Sequence, residues 1–149
     1  LRIGYRKGIT VLNENDILLI EESLKEGAYL CKPEGAYLII PVSSRNDYQI
    51  ELKNGIIFES QSLSKLLKDS THAVLMAATT GRRITERVFE EVNKGDAAKG
   101  LILDSVASQT ADAALDWIVD LINKMLEREG RKLTKLRYSP ATRKIFLKH

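Results

Sequence analysis

Apolar residues at Ile17, Leu18, Ile20 and Leu24 keep the spacing of one helical face, with Asn13 or Asn15 placed to cap its start and Gly27 to stop it. Strand-like runs come next. Tyr37 to Val42 reads as a buried strand, Tyr48 to Leu52 as an alternating one, and Ile56 to Glu59 as its antiparallel partner. Lys53-Asn54-Gly55 between the last two predicts a hairpin, because Asn-Gly accepts the positive φ that type I′ turns require. Ser62 can cap a short helix through Leu66 and Leu67, and Ala73 to Ala78 reads as another buried strand running into Thr79-Thr80-Gly81. Ile84, Val88 and Val92 then recur at i+4 and predict a helix from Arg82 to Asn93, closed by Gly95-Asp96.

The longest periodic run is Val106, Thr110, Ala113, Ala114, Trp117, Ile118, Leu121, Ile122 and Met125, a helix that Gly130 closes. This stripe predicts Val106, Trp117, Leu121 and Met125 packed together in the core against the 74–78 strand. Leu101-Ile102-Leu103 fits either a helical lead-in from Asp96 or a short strand, and Lys135 to Tyr138 fits a final strand before Pro140. Helices and strands without regular βαβ alternation predict an α+β fold. The expectation is a single domain over 1–149, with an antiparallel or mixed sheet and a long C-terminal helix packed on it. Glu-Gly-Ala-Tyr-Leu occurs at 26–30 and again at 34–38, but two copies of five residues make no repeat architecture.

Composition narrows the class without naming a chemistry. A hydrophobic share of 44% with 29% charged residues excludes wholesale disorder. No apolar run approaches the ~20 residues of a membrane span, and no basic segment leading into an apolar one opens the chain, so a soluble cytoplasmic protein with no membrane partner is expected. One cysteine, Cys31, and two distant histidines supply neither a disulfide nor a zinc site. The overall charge of +3 is unevenly spread. Residues 128–149 hold eight Lys or Arg against Glu129 alone, net +7, which leaves the rest of the chain at −4. Such a tail suits a nucleic acid, an acidic protein or a carboxylate ligand, or is simply a solvated segment.

Candidate chemistry is sparse. Thr79-Thr80-Gly81, between a strand and a helix, has the layout that offers backbone N–H groups to an anion, yet lacks the P-loop lysine and the three glycines of a dinucleotide fingerprint. A helix cap with a tight turn is the simpler reading. Asp112, Asp116 and Asp120 form an acidic row on the long helix, about 175° from its apolar stripe in the case of Asp112. That row reads as a solvated face unless another element folds over it. His72 has no Cys or acidic neighbour in sequence, and no Ser/His/Asp or Cys/His grouping is visible, so no catalytic residue and no metal ligand is assigned.

Three segments carry a resemblance. Gly4-Tyr5-Arg6 ahead of an acidic helix, Val74 to Gly81, and Asp104-Ser105-Val106-Ala107-Ser108 through Ala111-Asp112-Ala113-Ala114 with Arg137-Tyr138-Ser139-Pro140 after it stand in the order found in one family. The chain resembles, from about 4 to 140, small freestanding proteins similar to the activation domain of vitamin B12-dependent methionine synthase. The resemblance implies an S-adenosylmethionine-binding module that acts in trans on a corrinoid methionine synthase lacking its own activation domain. After one-electron reduction of cob(II)alamin, by a flavodoxin-like or other donor, the methyl group of the bound cofactor passes to cobalt.

The resemblance further implies that Asp112 meets the methionine amino group, Arg137 its carboxylate, and Ser139 supplies backbone contacts. A zwitterion needs one such anion and one such cation. Asp112 stands where the long enzymes carry a glutamate, and Ala141-Thr142 follows Pro140 where the family has Gly-Tyr. Cobalamin enters only through the partner, since the family's Asp-x-His-x-x-Gly loop is absent. The protein is then an accessory of a methyltransferase system rather than a self-sufficient enzyme. Two alternatives stand beside it: a nucleic-acid or acidic-partner binder using the 128–149 tail, and a ligand-free structural homologue that contacts a corrinoid protein.

Overall fold

A computed structural model describes residues 13–135, 137 and 138. Helix α1 (Glu14–Leu30) begins at a capping box, in which Asn13 Oδ1 accepts from the Asp16 amide at 2.8 Å and Asp16 Oδ2 accepts from the Asn13 amide at 3.1 Å. Strands β1 (Glu34–Arg45), β2 (Gln49–Leu52) and β3 (Ile57–Glu59) follow, then α2 (Gln61–Leu66), β4 (His72–Thr79), α3 (Arg82–Asn93) and α4 (Ala97–Glu127). The strands form one sheet in the order β3-β2-β1-β4. β2 pairs antiparallel with β1 and β3. Links from the Val42 amide to the Thr71 carbonyl and from the Lys32 amide to the Thr80 carbonyl run in opposite directions along the chain, which makes the β1–β4 edge antiparallel too. The fold is α+β, as the mixed pattern predicts.

The chain divides into two compact units. Among the described residues, one comprises 13–36 and 77–118, the other 37–76 and those from 119 onward. In the first, α1, α3 and α4 bury Ile84, Ile102, Leu103 and Ile118. Gly27 lies in the interior of α1 rather than at its end, and the helix runs on to Leu30. The reason is proximity: a Cβ at Gly27 would stand 3.0 Å from Val106 Cγ1, so the glycine serves the approach to α4. In the second unit, Ile40, Ile50, Leu52, Leu63 and Ala73 form an apolar core, with Tyr138 packed against it.

Several expectations need correction. The 53–55 turn is not type I′: Gly55 alone has positive φ (+83°), and its amide donates to the Leu52 carbonyl, a three-residue loop with a bulge at the glycine. Ser60, not Ser62, caps α2, its Oγ accepting from the Leu63 amide at 3.3 Å. Leu101 to Leu103 belong to α4. The 37–42 run is not uniformly buried: Tyr37 and Leu38 are exposed and Ile40 alone is buried, because β1 is about twice as long as that run and its ends outreach the core. In β4 only Ala73 is buried. No strand forms among the described residues of 135–138. Instead of pairing with a strand edge, Tyr138 sets its ring on the core and its hydroxyl 3.0 Å from Ser60 Oγ.

Trp117 is the largest departure. It is 67% exposed and Met125 44%, while Val106 and Leu121 are half-buried. The buried positions at this end of α4 are Ile118, Ile122 and Leu126. Each stands one residue after Trp117, Leu121 and Met125, which turns the packed face by about 100° around the helix. Between Val106 and Trp117 the helix contains no buried residue at all.

Candidate functional site

Asp112 sits in the middle of α4, in that unburied stretch, and is exposed. Arg137 is exposed in the other unit. Its neighbour Tyr138 is tethered by the Ser60 hydroxyl and by apolar contacts, so the backbone beside the Arg137 guanidinium is anchored to the strand-rich core. A few residues earlier, Arg131 Nη2 lies 2.8 Å from His72 Nδ1, whose other neighbour is Thr71 Oγ1 at 2.9 Å. Ser139 lies outside the described residues. Sequence reasoning gave His72 no role and missed this contact, since 59 residues separate it from its arginine.

The Thr79-Thr80-Gly81 turn is built as a helix entry. Gly81 has φ +87°, its amide donates to Thr79 Oγ1 at 3.1 Å, and no side chain caps the first turn of α3. Thr80 is buried, with its carbonyl accepting from the Lys32 amide at 2.8 Å. That arrangement locks the loop from β4 into α3 against the end of α1.

The densest electrostatic feature lies in the same helical unit. Glu26 of α1 takes Arg87 Nε at 2.5 Å and Lys99 Nζ at 2.8 Å. Arg87 also contacts Glu91, which is buried, and reaches Glu90 at 3.2 Å, with Lys94 3.7 Å from Glu91. The hydrogen bonds from Lys99 and then Arg87 hold the Glu26 carboxyl below the ordinary glutamate value of 4.5, against a smaller opposing effect of burial. Arg87 is correspondingly raised, chiefly by its hydrogen bond to Glu26. One carboxylate thereby ties α1 to α3 and α4.

A shallow groove of about 370 Å³ opens where the start of β1 meets the middle of α4. Pro33, Glu34 and Gly35 form one side, Ala113, Ala114 and Trp117 the other. Stepping about 100° per residue around α4 puts Asp112 roughly 170° from this groove, so the groove and Asp112 occupy opposite faces of the helix. Among the described residues no cluster of His, Cys, Asp and Glu is arranged to hold a metal ion, and no helix is long and apolar enough to cross a membrane. No protein-family model matches the chain, and no curated protein matches it.

Proposed function

We propose that this protein binds S-adenosylmethionine and serves in trans as the reactivation module of a corrinoid methionine synthase that lacks its own activation domain. The reading rests on the ordered likeness of three segments, ending in Arg137-Tyr138-Ser139-Pro140, to that family of activation domains. One structural observation supports it above others: Arg137 is an exposed residue next to Tyr138, whose hydroxyl lies 3.0 Å from Ser60 Oγ, so the backbone at this point of the motif is anchored. A zwitterionic ligand requires an anion as well as a cation, and Asp112 is an exposed residue of α4. In this reading Asp112 binds the ammonium group, Arg137 the carboxylate, and Ser139 adds backbone contacts. The bound sulfonium supplies the methyl group, and the cobalt and the electron come from the partner and its donor; the module binds and orients.

Calorimetric titration with S-adenosylmethionine tests this directly. Saturable binding is expected, weakened about thirtyfold or more by Arg137→Ala, which strands a carboxylate, and less by Asp112→Asn, whose amide oxygen still accepts from ammonium. Absence of binding by the wild-type chain would favour the ligand-free homologue.

Exposed Arg128, Arg131, Lys132, Lys135 and Arg137 favour one second reading, a binder of nucleic acid or an acidic protein. Titration of labelled oligonucleotide at two salt concentrations separates the two, because phosphate binding falls steeply with salt.

A further inference from the structure

The groove between the start of β1 and α4 is chemically one-sided. Its walls at Pro33, Gly35, Ala113 and Ala114 are apolar, and its one charged group is Glu34, exposed and without an ion pair among the described residues. Thr110 also lines it, but that hydroxyl donates to the Val106 carbonyl at 2.8 Å and turns only oxygen lone pairs outward. Trp117 completes the lining with its indole 67% exposed. Apart from the indole N–H, the side chains here offer a ligand a carboxylate, a π face and acceptor lone pairs. An anion finds no positive partner among them. A diffuse cation finds both of the groups that favour it, since an indole is the best of the aromatic rings for cation–π attraction.

Shape agrees with charge. A Cβ at Gly35 would come 2.6 Å from Ile118 Cδ1, so the strand backbone rests directly on the helix and the groove has a fixed floor. Its volume of about 370 Å³ is at the small end of ligand sites. We propose that this groove binds a small organic cation of the quaternary-ammonium type, with Trp117 against the charged head and Glu34 balancing it. The site is separate from Asp112, which lies on the far face of α4, and does not depend on the function proposed above.

Trp117 is the only tryptophan in the chain, so its emission, excited beyond tyrosine absorption, reports on the groove alone. The probes are choline and its uncharged carbon isostere 3,3-dimethylbutan-1-ol, each titrated to ~50 mM, where a millimolar site saturates. Choline should change the emission saturably and bind about fivefold or more tightly than the isostere. Glu34→Gln should remove most of that preference. Trp117→Leu, followed by broadening of the choline methyl signal in NMR, should abolish binding. Equal binding of the two probes, no response to choline, or an unchanged preference in Glu34→Gln would each overturn the proposal. Both residues are exposed, so neither substitution removes core packing.

Discussion

The two units are held by different forces. In the strand-rich unit, Ile40, Ile50, Leu52, Leu63 and Ala73 make an apolar cluster whose only buried polar neighbour in that unit, among the described residues, is Ser64. In the helical unit Ser23, Thr80, Glu91 and Ser105 are all buried beside Ile84, Ile102, Leu103 and Ile118. There the helices are joined by the Glu26 ion pairs and by a glycine-to-valine contact. Hydrophobic burial responds to lost methylene groups and little to pH, whereas ion pairs respond to protonation and salt. The comparison also bears on function. The groove with its exposed tryptophan belongs to the polar, ion-paired unit, while the anchored Arg137 belongs to the apolar one.

The sharpest way to break this contrast is to truncate the apolar core. Ile50 is 1% exposed, and Ile50→Ala should cost about 2–5 kcal/mol, read by urea denaturation. Arg87→Met should cost less, because Glu26 and Glu90 keep partial access to water and Lys99 and Lys94 remain near Glu26 and the buried Glu91. Its signature is in the pH dependence. A carboxyl held low in the folded state contributes stability that is present above its ordinary value of 4.5 and lost as the pH falls through the lower folded value. Glu26→Gln should therefore flatten the acid limb of the stability curve below about pH 4.5, and Arg87→Met should flatten it in part. An unchanged acid limb in both variants would remove the ion-pair account of this unit.

Two smaller effects sharpen the picture. Ser23 is fully buried, and its hydroxyl has no hydrogen-bond partner among the described residues. Ser23→Ala should raise stability by about 1 kcal/mol by removing a desolvated donor, visible as a higher midpoint with an unchanged denaturant slope. Trp117→Ser should change stability by less than ~0.5 kcal/mol, although a core tryptophan would cost ~3–5 kcal/mol. A large loss on that substitution would return Trp117 to the core.

How much of this was legible follows the range of the interactions concerned. Local chemistry was readable: the Asn13 cap, the 82–93 helix, Asp96 accepting from the Lys99 amide at 3.0 Å, and Gly130 with φ +66° closing the last helix all depend on residues a few positions apart. The apolar stripe of α4 was readable as a helix but not in its rotation, since Trp117 and Ile118 are adjacent and periodicity cannot say which of them meets a neighbour. Only tertiary packing chose Ile118, turning the indole outward and opening the groove. Gly27 likewise reads as a stop until α4 arrives with Val106. The Glu26–Arg87–Lys99 ties, Arg131 beside His72 and Tyr138 on Ser60 join residues 59 to 78 positions apart, or 73 for Glu26 and Lys99. By itself the sequence determined the α+β class and the ends of most elements, because backbone dihedrals and caps answer to near neighbours. Which face of each helix is covered, and so which side chains are left for a ligand, was decided by packing between distant segments.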